Sequence, residues 1–228
     1  MPTPTTSGLV SSTFLALLTD SEREALRGLG MRRTFPRGAV LMFEGEPDER
    51  VMLVFNGRVK VTHVSHDGRE IVLSIRDPGD VLGELAFIDR QPRAATVTAL
   101  EPVEVLVMPA QVFRTHLETT PRVAVVLLEI VASRFREATI ERLRFAASDT
   151  MGRLAARITE LADRYGEPGE AGIVIASPIS QEELASWTGA SRAGVAQALQ
   201  ALRELGWIQT ERRRLIVTDE AALRARAV

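Results

Sequence analysis

The 228-residue sequence has no cysteine, one lysine (Lys60) and three histidines. Without thiols there can be no disulfide, no thiolate metal site and no cysteine-ligated iron–sulfur cluster. His63, His66 and His116 lack the carboxylate–histidine spacing of a metal site, so no metal is expected; His63 and His66 flank a turn and read as solvated. Long apolar runs are missing too. The first residues, MPTPTTSGLVSSTF, have no basic region leading into an apolar block, so a cytoplasmic protein with no membrane partner is expected. Charge of one sign is also absent: 28 Lys and Arg face 30 Asp and Glu, a net charge of −2. Bulk charge therefore does not announce nucleic acid, although binding depends on where the charge lies. With one lysine, arginine supplies nearly every cation. Guanidinium forks suit phosphate and guanine edges, but a genome favouring Arg and Ala codons explains the same bias. What remains is ordinary for a globular chain long enough for two domains: 45% hydrophobic and 25% charged.

Thr19 or Asp20 can cap a first helix that ends at Gly28 or Gly30. From Met31 to about Pro109 the chain breaks into short β-rich runs: AVLMFEG, RVMLVFNG, RVKVTHVS, EIVLSIRD, AATVTAL and VEVLVMP. They recur roughly every 8–12 residues, the rhythm of a sandwich or barrel. Turn signals separate them: GEPDE, Asn56-Gly57, Asp67-Gly68 and the Asp77–Asp80 segment DPGD. A compact antiparallel β-roll is expected. Within it, GELAFIDRQPRAATVTA (83–99) sets Gly-Glu and an Arg on either side of a short loop. Glu84 and Arg93 read either as two halves of a small-molecule site or as charges around a hairpin.

Beyond Pro109 the period becomes helical. AQVFRTHLETT makes one short helix, and a run of about seven turns follows, with Pro121 in its first turn. Ala124, Leu128, Val131, Phe135, Ala138, Arg142 and Phe145 alternate spacings of four and three, a heptad seam. So long a helix cannot bury two apolar faces on one small β-roll, so one face is expected to meet a second copy; Arg142 would need a partner in that seam. A long core helix of a monomer is the plainer alternative. Ser148 or Asp149 starts a new helix, and EPGEAGIVIASP reads as a loop and short strand.

The C-terminal third has the sharpest grammar. In SQEELASWTGASRAGVAQALQALRELGWI, Ser180 and Glu183 form a capping box, Gly189 breaks the pattern and Ala190-Ser191 caps a second helix, which Gly206 ends. Two short helices joined by a Gly turn are a helix-turn-helix, with Leu184, Ala185, Val195, Leu199 and Leu202 between them. WIQTERRRLIVTD then reads as strand, turn and strand, a wing tipped by Arg212, Arg213 and Arg214. The start of the second helix would present Ser191, Arg192, Ala193 and Gln197 to a major groove. There Arg192 suits guanine O6 and N7, and Gln197 suits adenine or a phosphate. Ser180, Gln181 and the wing arginines suit phosphates. An αα-hairpin used only for packing is the plainer reading.

The order β-roll, long helix, winged helix-turn-helix resembles the Crp/Fnr family of bacterial transcription regulators over nearly the whole chain. Three segments carry it: GELAFIDRQPRAATVTA, DTMGRLAARITELADRYG and SQEELASWTGASRAGVAQALQALRELGWI. The resemblance implies an α+β architecture: a cyclic-nucleotide-binding-like β-roll that senses an effector (1–120), a dimerisation helix (121–147) and a winged helix-turn-helix that binds DNA (148–228). It implies a homodimer on a palindromic double-stranded operator, with RNA polymerase as a further partner, and no enzyme.

In the cyclic-AMP branch of the family the Gly-Glu-Leu segment and a following Arg-Ser pair bind the ribose-phosphate. By position, the backbone near Gly83, Glu84 and Leu85 would meet that group, Glu84 accepting from the 2′-hydroxyl and Arg93 neutralising the cyclic phosphate. Ala94 stands where the hydroxyl is usual. The adjacent polar residues that meet adenine fall at Ala138 and Thr139, of which only Thr139 can touch the base. A lost neutral hydrogen bond costs about 0.5–1.5 kcal/mol, roughly three- to tenfold in affinity, so these gaps weaken a site without abolishing it. Cyclic AMP is the effector expected; a different effector, or constitutive DNA binding over a degenerate pocket, is the alternative. Ala193 follows Arg192 where the best-known branch has a Glu that reads cytosine, so the operator need not match. The oxygen-sensing branch needs cysteines. The haem branch uses an N-terminal proline and a histidine; Pro2 exists, but no histidine lies at a matching β-roll position, so no haem is expected.

Overall fold

The computed structural model describes residues 13–66, 68–176, 179–211 and 214–227. Pro2, Asp67, Arg212 and Arg213 lie outside them. Thr19 caps α1 (Asp20–Arg27) through a reciprocal capping box with Glu22, and Gly28 closes the helix. Eight strands follow, all paired antiparallel. β1 (Met31–Phe35), β8 (Val103–Met108), β3 (Val51–Asn56) and β6 (Val81–Leu82) form one sheet in that order. β2 (Val40–Met42), β7 (Thr96–Ala99), β4 (Val59–Val64) and β5 (Glu70–Arg76) form the other. Between them Leu41, Met52, Val54, Val59, Leu82, Val97, Val103 and Val105 are buried in one cluster. The expected β-roll is present, with one addition. Glu84–Asp89 is not hairpin but a short helix, α2, between β6 and β7.

α3 (Ala110–Thr119) leads into α4 (Pro121–Ala147), and α4 has two apolar faces. Val123, Val126, Leu127 and Ile130 are buried against α1 and the β-roll together with Phe14, Leu53, Phe87 and Phe113. On the rest of the helix Leu128 is 61% and Phe135 73% exposed, and Val125, Ile140 and Leu143 are exposed too. Phe145, half-exposed, also stacks its ring under the Arg153 guanidinium, 4.5 Å away, and lies against Gly189. It serves the junction with the next domain.

Asp149 caps α5 (Thr150–Tyr165) by accepting from the Gly152 N–H at 2.8 Å. The next segment is a pair of strands rather than one. β9 (Gly166–Gly169) and β10 (Gly172–Ile175) join β12 (Arg214–Val217) and β11 (Ile208–Glu211) in a sheet of order β11-β12-β10-β9. α6 (Gln181–Thr188) and α7 (Arg192–Glu204) form the helix-turn-helix, and α8 (Glu220–Arg226) closes the chain. Leu184, Ala185, Val195, Leu199 and Leu202 meet in one core with Leu154 and Ile158 of α5.

That core continues into the β-roll through Val72, Ile75 and Leu100. Polar contacts tie the two parts together. The Val72 N–H donates to Ser186 Oγ at 3.1 Å, Tyr165 Oη donates to Asp77 Oδ1 at 2.8 Å, and Arg164 donates to the Ile75 carbonyl at 3.1 Å. Among the described residues no helix is long and apolar enough to cross a membrane.

Candidate functional site

The turn into α2 is built around Gly83, which holds φ +78°, a conformation costly for residues with a Cβ. A Cβ there would lie 2.2 Å from Nη1 of Arg93, so the missing side chain is the space the guanidinium fills. Arg93 is 3% exposed. It donates to the Gly83 carbonyl at 3.0 Å and to the Arg50 carbonyl at 2.5 Å, and pairs with Asp48 at 3.1 Å. Its Nε is buried without a hydrogen-bond partner among the described residues. An orphaned donor on a buried cation costs free energy unless an acceptor arrives, and an anionic oxygen is the natural one.

Glu84 and Arg93 are not paired with each other. Glu84, 8% exposed, accepts from Arg134 of α4 at 2.7 Å. Arg134 also donates to Asp80 at 3.1 Å and to the Val81 carbonyl at 3.0 Å. Burial pushes the Arg134 guanidinium down, but Glu84 and Asp80 outweigh it and hold the group above its ordinary value. Arg76 shows the opposite balance: burial and the neighbouring Arg134 bring it down to about 10, against Asp80 and Glu84. Two buried carboxylates, Asp80 and Glu84, thus pair with the part-buried Arg134 and also act on Arg76 beside it. One edge of the Glu84 carboxylate faces the long helix by this route. Spacing along the chain cannot show Arg134, Asp80 or Asp48 as partners; only the Asp77–Asp80 turn was visible, and as a turn.

Other expected pocket residues are placed as follows. Leu85 and Ala94 are exposed. Thr139 is exposed on α4, and its hydroxyl donates to the Phe135 carbonyl at 2.9 Å. Of the histidines, His63 is not merely solvated: its Nδ1 lies 2.7 Å from Glu44.

Asp48 anchors the loop that holds Arg93. Burial raises its carboxyl, but hydrogen bonds from the Arg50 side chain and backbone and from Arg93 hold it down to about 2. A folded-state value below the ordinary one stabilises the fold above the unfolded value, near 3.8, and loses that effect as pH falls through about 2. With solvent screening part of the interaction, Asp48→Asn is expected to cost on the order of 1 kcal/mol near neutral pH. The gap from wild type should close as pH falls from about 4 to about 2, read from urea unfolding of both proteins; a gap that does not narrow contradicts the assignment.

The second site lies on the helix-turn-helix. Gln181, Ser191, Arg192, Ala193 and Gln197 are all exposed around the starts of α6 and α7. Ser191 caps α7 by accepting from the Gly194 N–H at 3.0 Å. Ser180 is exposed as well, but its hydroxyl is committed: it accepts from the Glu183 N–H and donates to the Glu183 carboxylate at 2.9 Å. A phosphate would reach that proton only by displacing Glu183. Gly189, at φ +60°, makes the turn, and a Cβ there would strike the Phe145 ring at 2.6 Å. The wing is a strand pair in which exposed Arg214 stands opposite Glu211. Sequence reasoning did not single out Glu182, which forms an ion pair with Arg192 across the two helices.

Comparison with known proteins gives two family matches: a cyclic nucleotide-binding domain over residues 32–120 and a Crp-like helix-turn-helix domain over residues 152–226. The chain is 33% identical over 193 residues to the CRP-like cAMP-activated global transcriptional regulator of Mycobacterium tuberculosis, covering 85% of this chain and 86% of that protein. It is 30% identical to the global nitrogen regulator of Synechococcus elongatus, over 83% of this chain and 86% of the relative. Among solved structures, a CRP-family transcriptional regulator from Thermus thermophilus superposes with a TM-score of 0.73 at 26% identity. That match covers 86% of this chain and 96% of the other.

Proposed function

The chain belongs to the Crp/Fnr family of DNA-binding transcription regulators, and from that premise we propose that it is a homodimer gated by cyclic AMP bound in each β-roll. Residues 1–120 form the sensor, 121–147 the dimerisation helix and 148–228 the DNA-binding domain. The observation that carries the effector is the buried Nε of Arg93, unpartnered among the described residues, beside Gly83 and Glu84. A cyclic phosphate supplies the acceptor that this donor lacks, and a guanidinium neutralises its charge. A carboxylate has about four acceptor sites, so Glu84 can keep Arg134 and still accept from a ribose 2′-hydroxyl. The Arg134 link means that this contact is felt directly by α4.

Thr139 favours adenine over guanine. Its proton is given to the Phe135 carbonyl, so its oxygen is left to accept. The adenine amino group donates at that edge, whereas guanine offers O6, another acceptor. Calorimetry of the purified protein tests this reading: cyclic AMP is expected to bind, more tightly than cyclic GMP. No heat with either nucleotide removes the effector assignment. A second reading, a different effector or constitutive DNA binding, rests on Ala94 and Ala138, which leave two hydrogen-bonding positions empty. The Synechococcus relative, a nitrogen regulator by name, is in keeping with it. Tight operator binding that no cyclic nucleotide changes would favour that alternative.

On the DNA face, Ser191, Arg192, Ala193 and Gln197 enter the major groove, while Ser180, Gln181 and the wing arginines Arg212, Arg213 and Arg214 lie along the backbone. Arg192→Ala is expected to lower discrimination at one base pair by about tenfold. Arg214→Ala should instead weaken all sequences alike and flatten the salt dependence by about one ion. Binding titrations over a salt series separate the two. If neither variant changes binding, the docking geometry is wrong.

A further inference from the structure

The turn of the helix-turn-helix brings the second residue of α6, Glu182, against the first residue of α7, Arg192, and the carboxylate pairs with Arg192 Nη2. Both side chains are about two-thirds exposed, at 68% and 70%. So exposed a pair adds little to the stability of the fold. Nor does Glu182 close the N-terminal cap of α6. Its neighbour Glu183 does that work, closing the capping box on Ser180 and approaching Lys60 at 3.5 Å. Among the described residues Arg192 is the partner that Glu182 has, and the arginine holds its carboxyl below the ordinary range.

We propose that Glu182 determines specificity by positioning Arg192: it restrains the guanidinium on the groove-facing side and keeps it from settling on phosphates. This rests on the reading that Arg192 meets base edges. The guanidinium has five N–H donors, of which a guanine uses two through O6 and N7. One Nη2 hydrogen can stay on Glu182 while the end of the fork meets the base. Arg192 alone, on a long flexible stem, would be drawn equally to the nearest phosphate of any sequence. A carboxylate beside it cancels that sequence-independent attraction and repels the backbone, yet leaves guanine hydrogen bonding intact. Specific binding is retained and non-specific binding is reduced. Ala193, next along α7, has no polar side chain for this task, so the restraint comes from the other helix.

The test uses full-length protein and a pool of randomised duplexes, with and without cyclic AMP, for wild type, Glu182→Gln, Arg192→Ala and the double variant. Glu182→Gln is expected to bind random duplex more tightly, with a salt slope steeper by about one. It should also lose guanine preference at the Arg192 position by about fivefold. In the Arg192→Ala background the same change should leave base preference where it was. A uniform gain in affinity with unchanged preference overturns the proposal, as does an equal effect of Glu182→Gln without Arg192. If Arg192→Ala itself leaves base preference intact, the underlying reading of the DNA face fails first, which the single variant shows separately.

Discussion

Arg93→Ala is expected to lower affinity for cyclic AMP by about 100-fold or more, because truncating one partner of a buried charged contact costs about 2–5 kcal/mol. The structure adds a second consequence. Arg93 joins Gly83, Arg50 and Asp48, on the two segments that frame the proposed phosphate site. Its loss takes a donor from the Arg50 and Gly83 carbonyls, the second of which keeps the Phe87 N–H, and leaves Asp48 to Arg50 alone, so the variant should also unfold at lower denaturant, by about 1–3 kcal/mol. Arg93→Lys separates these effects. A lysine keeps the positive charge but cannot span the Gly83 and Arg50 carbonyls with one planar fork. It should recover part of the nucleotide affinity and little of the stability. Calorimetry and urea unfolding read the two quantities independently. Nucleotide binding that survives Arg93→Ala undiminished moves the effector site elsewhere.

Replacing Leu128 and Phe135 together by Glu is expected to convert the protein to monomer and lower operator affinity by about 10²–10⁴-fold. Both residues are largely exposed, on the part of α4 that the β-roll does not cover. In a two-fold dimer each contributes twice, and burying a Leu or Phe side chain yields about 1.5–3 kcal/mol. Four such side chains outweigh what a helix pair loses by association only when they stay apolar. Four buried carboxylates reverse the sign. Operator affinity then falls because a second half-site is no longer tethered at millimolar effective concentration. The subunit itself should remain folded, since Val123, Val126, Leu127 and Ile130 hold α4 on the β-roll from its other face. Sedimentation and far-UV circular dichroism report the two outcomes; a variant that stays dimeric places the interface on another surface.

Local chemistry explains why some of this was legible in the residues. The capping boxes at Thr19 and Ser180, the cap at Asp149 and the Gly189 turn are short-range devices, and each stands where its sequence places it. The two faces of α4 follow from helical period, and its length from the lack of any interior Gly or Pro. Elements with weak or conflicting local signals escaped. α2 has six residues, too few for a period to register, and starts and ends on left-handed residues, Gly83 and Arg90. β9 reads GEPG, turn composition that became an edge strand by pairing with β10. The candidate pocket was half visible. Glu84 and Arg93 lie in one conspicuous segment, but the group on Glu84 is 50 residues away and comes from another element. Phe145 illustrates the same limit: its helical spacing is legible along the chain, but its stacking with Arg153 at the domain junction is not.

The most direct test of a cyclic-AMP-gated DNA-binding dimer is thermodynamic reciprocity. Affinity for a selected operator is measured with and without saturating cyclic AMP, and affinity for cyclic AMP with and without that operator. If the nucleotide re-aims the recognition helices, the two ratios are equal and differ from one, by about 5–150-fold for coupling of ordinary strength. Operator affinity identical in the presence and absence of bound cyclic AMP would contradict gating, whatever the nucleotide's own affinity.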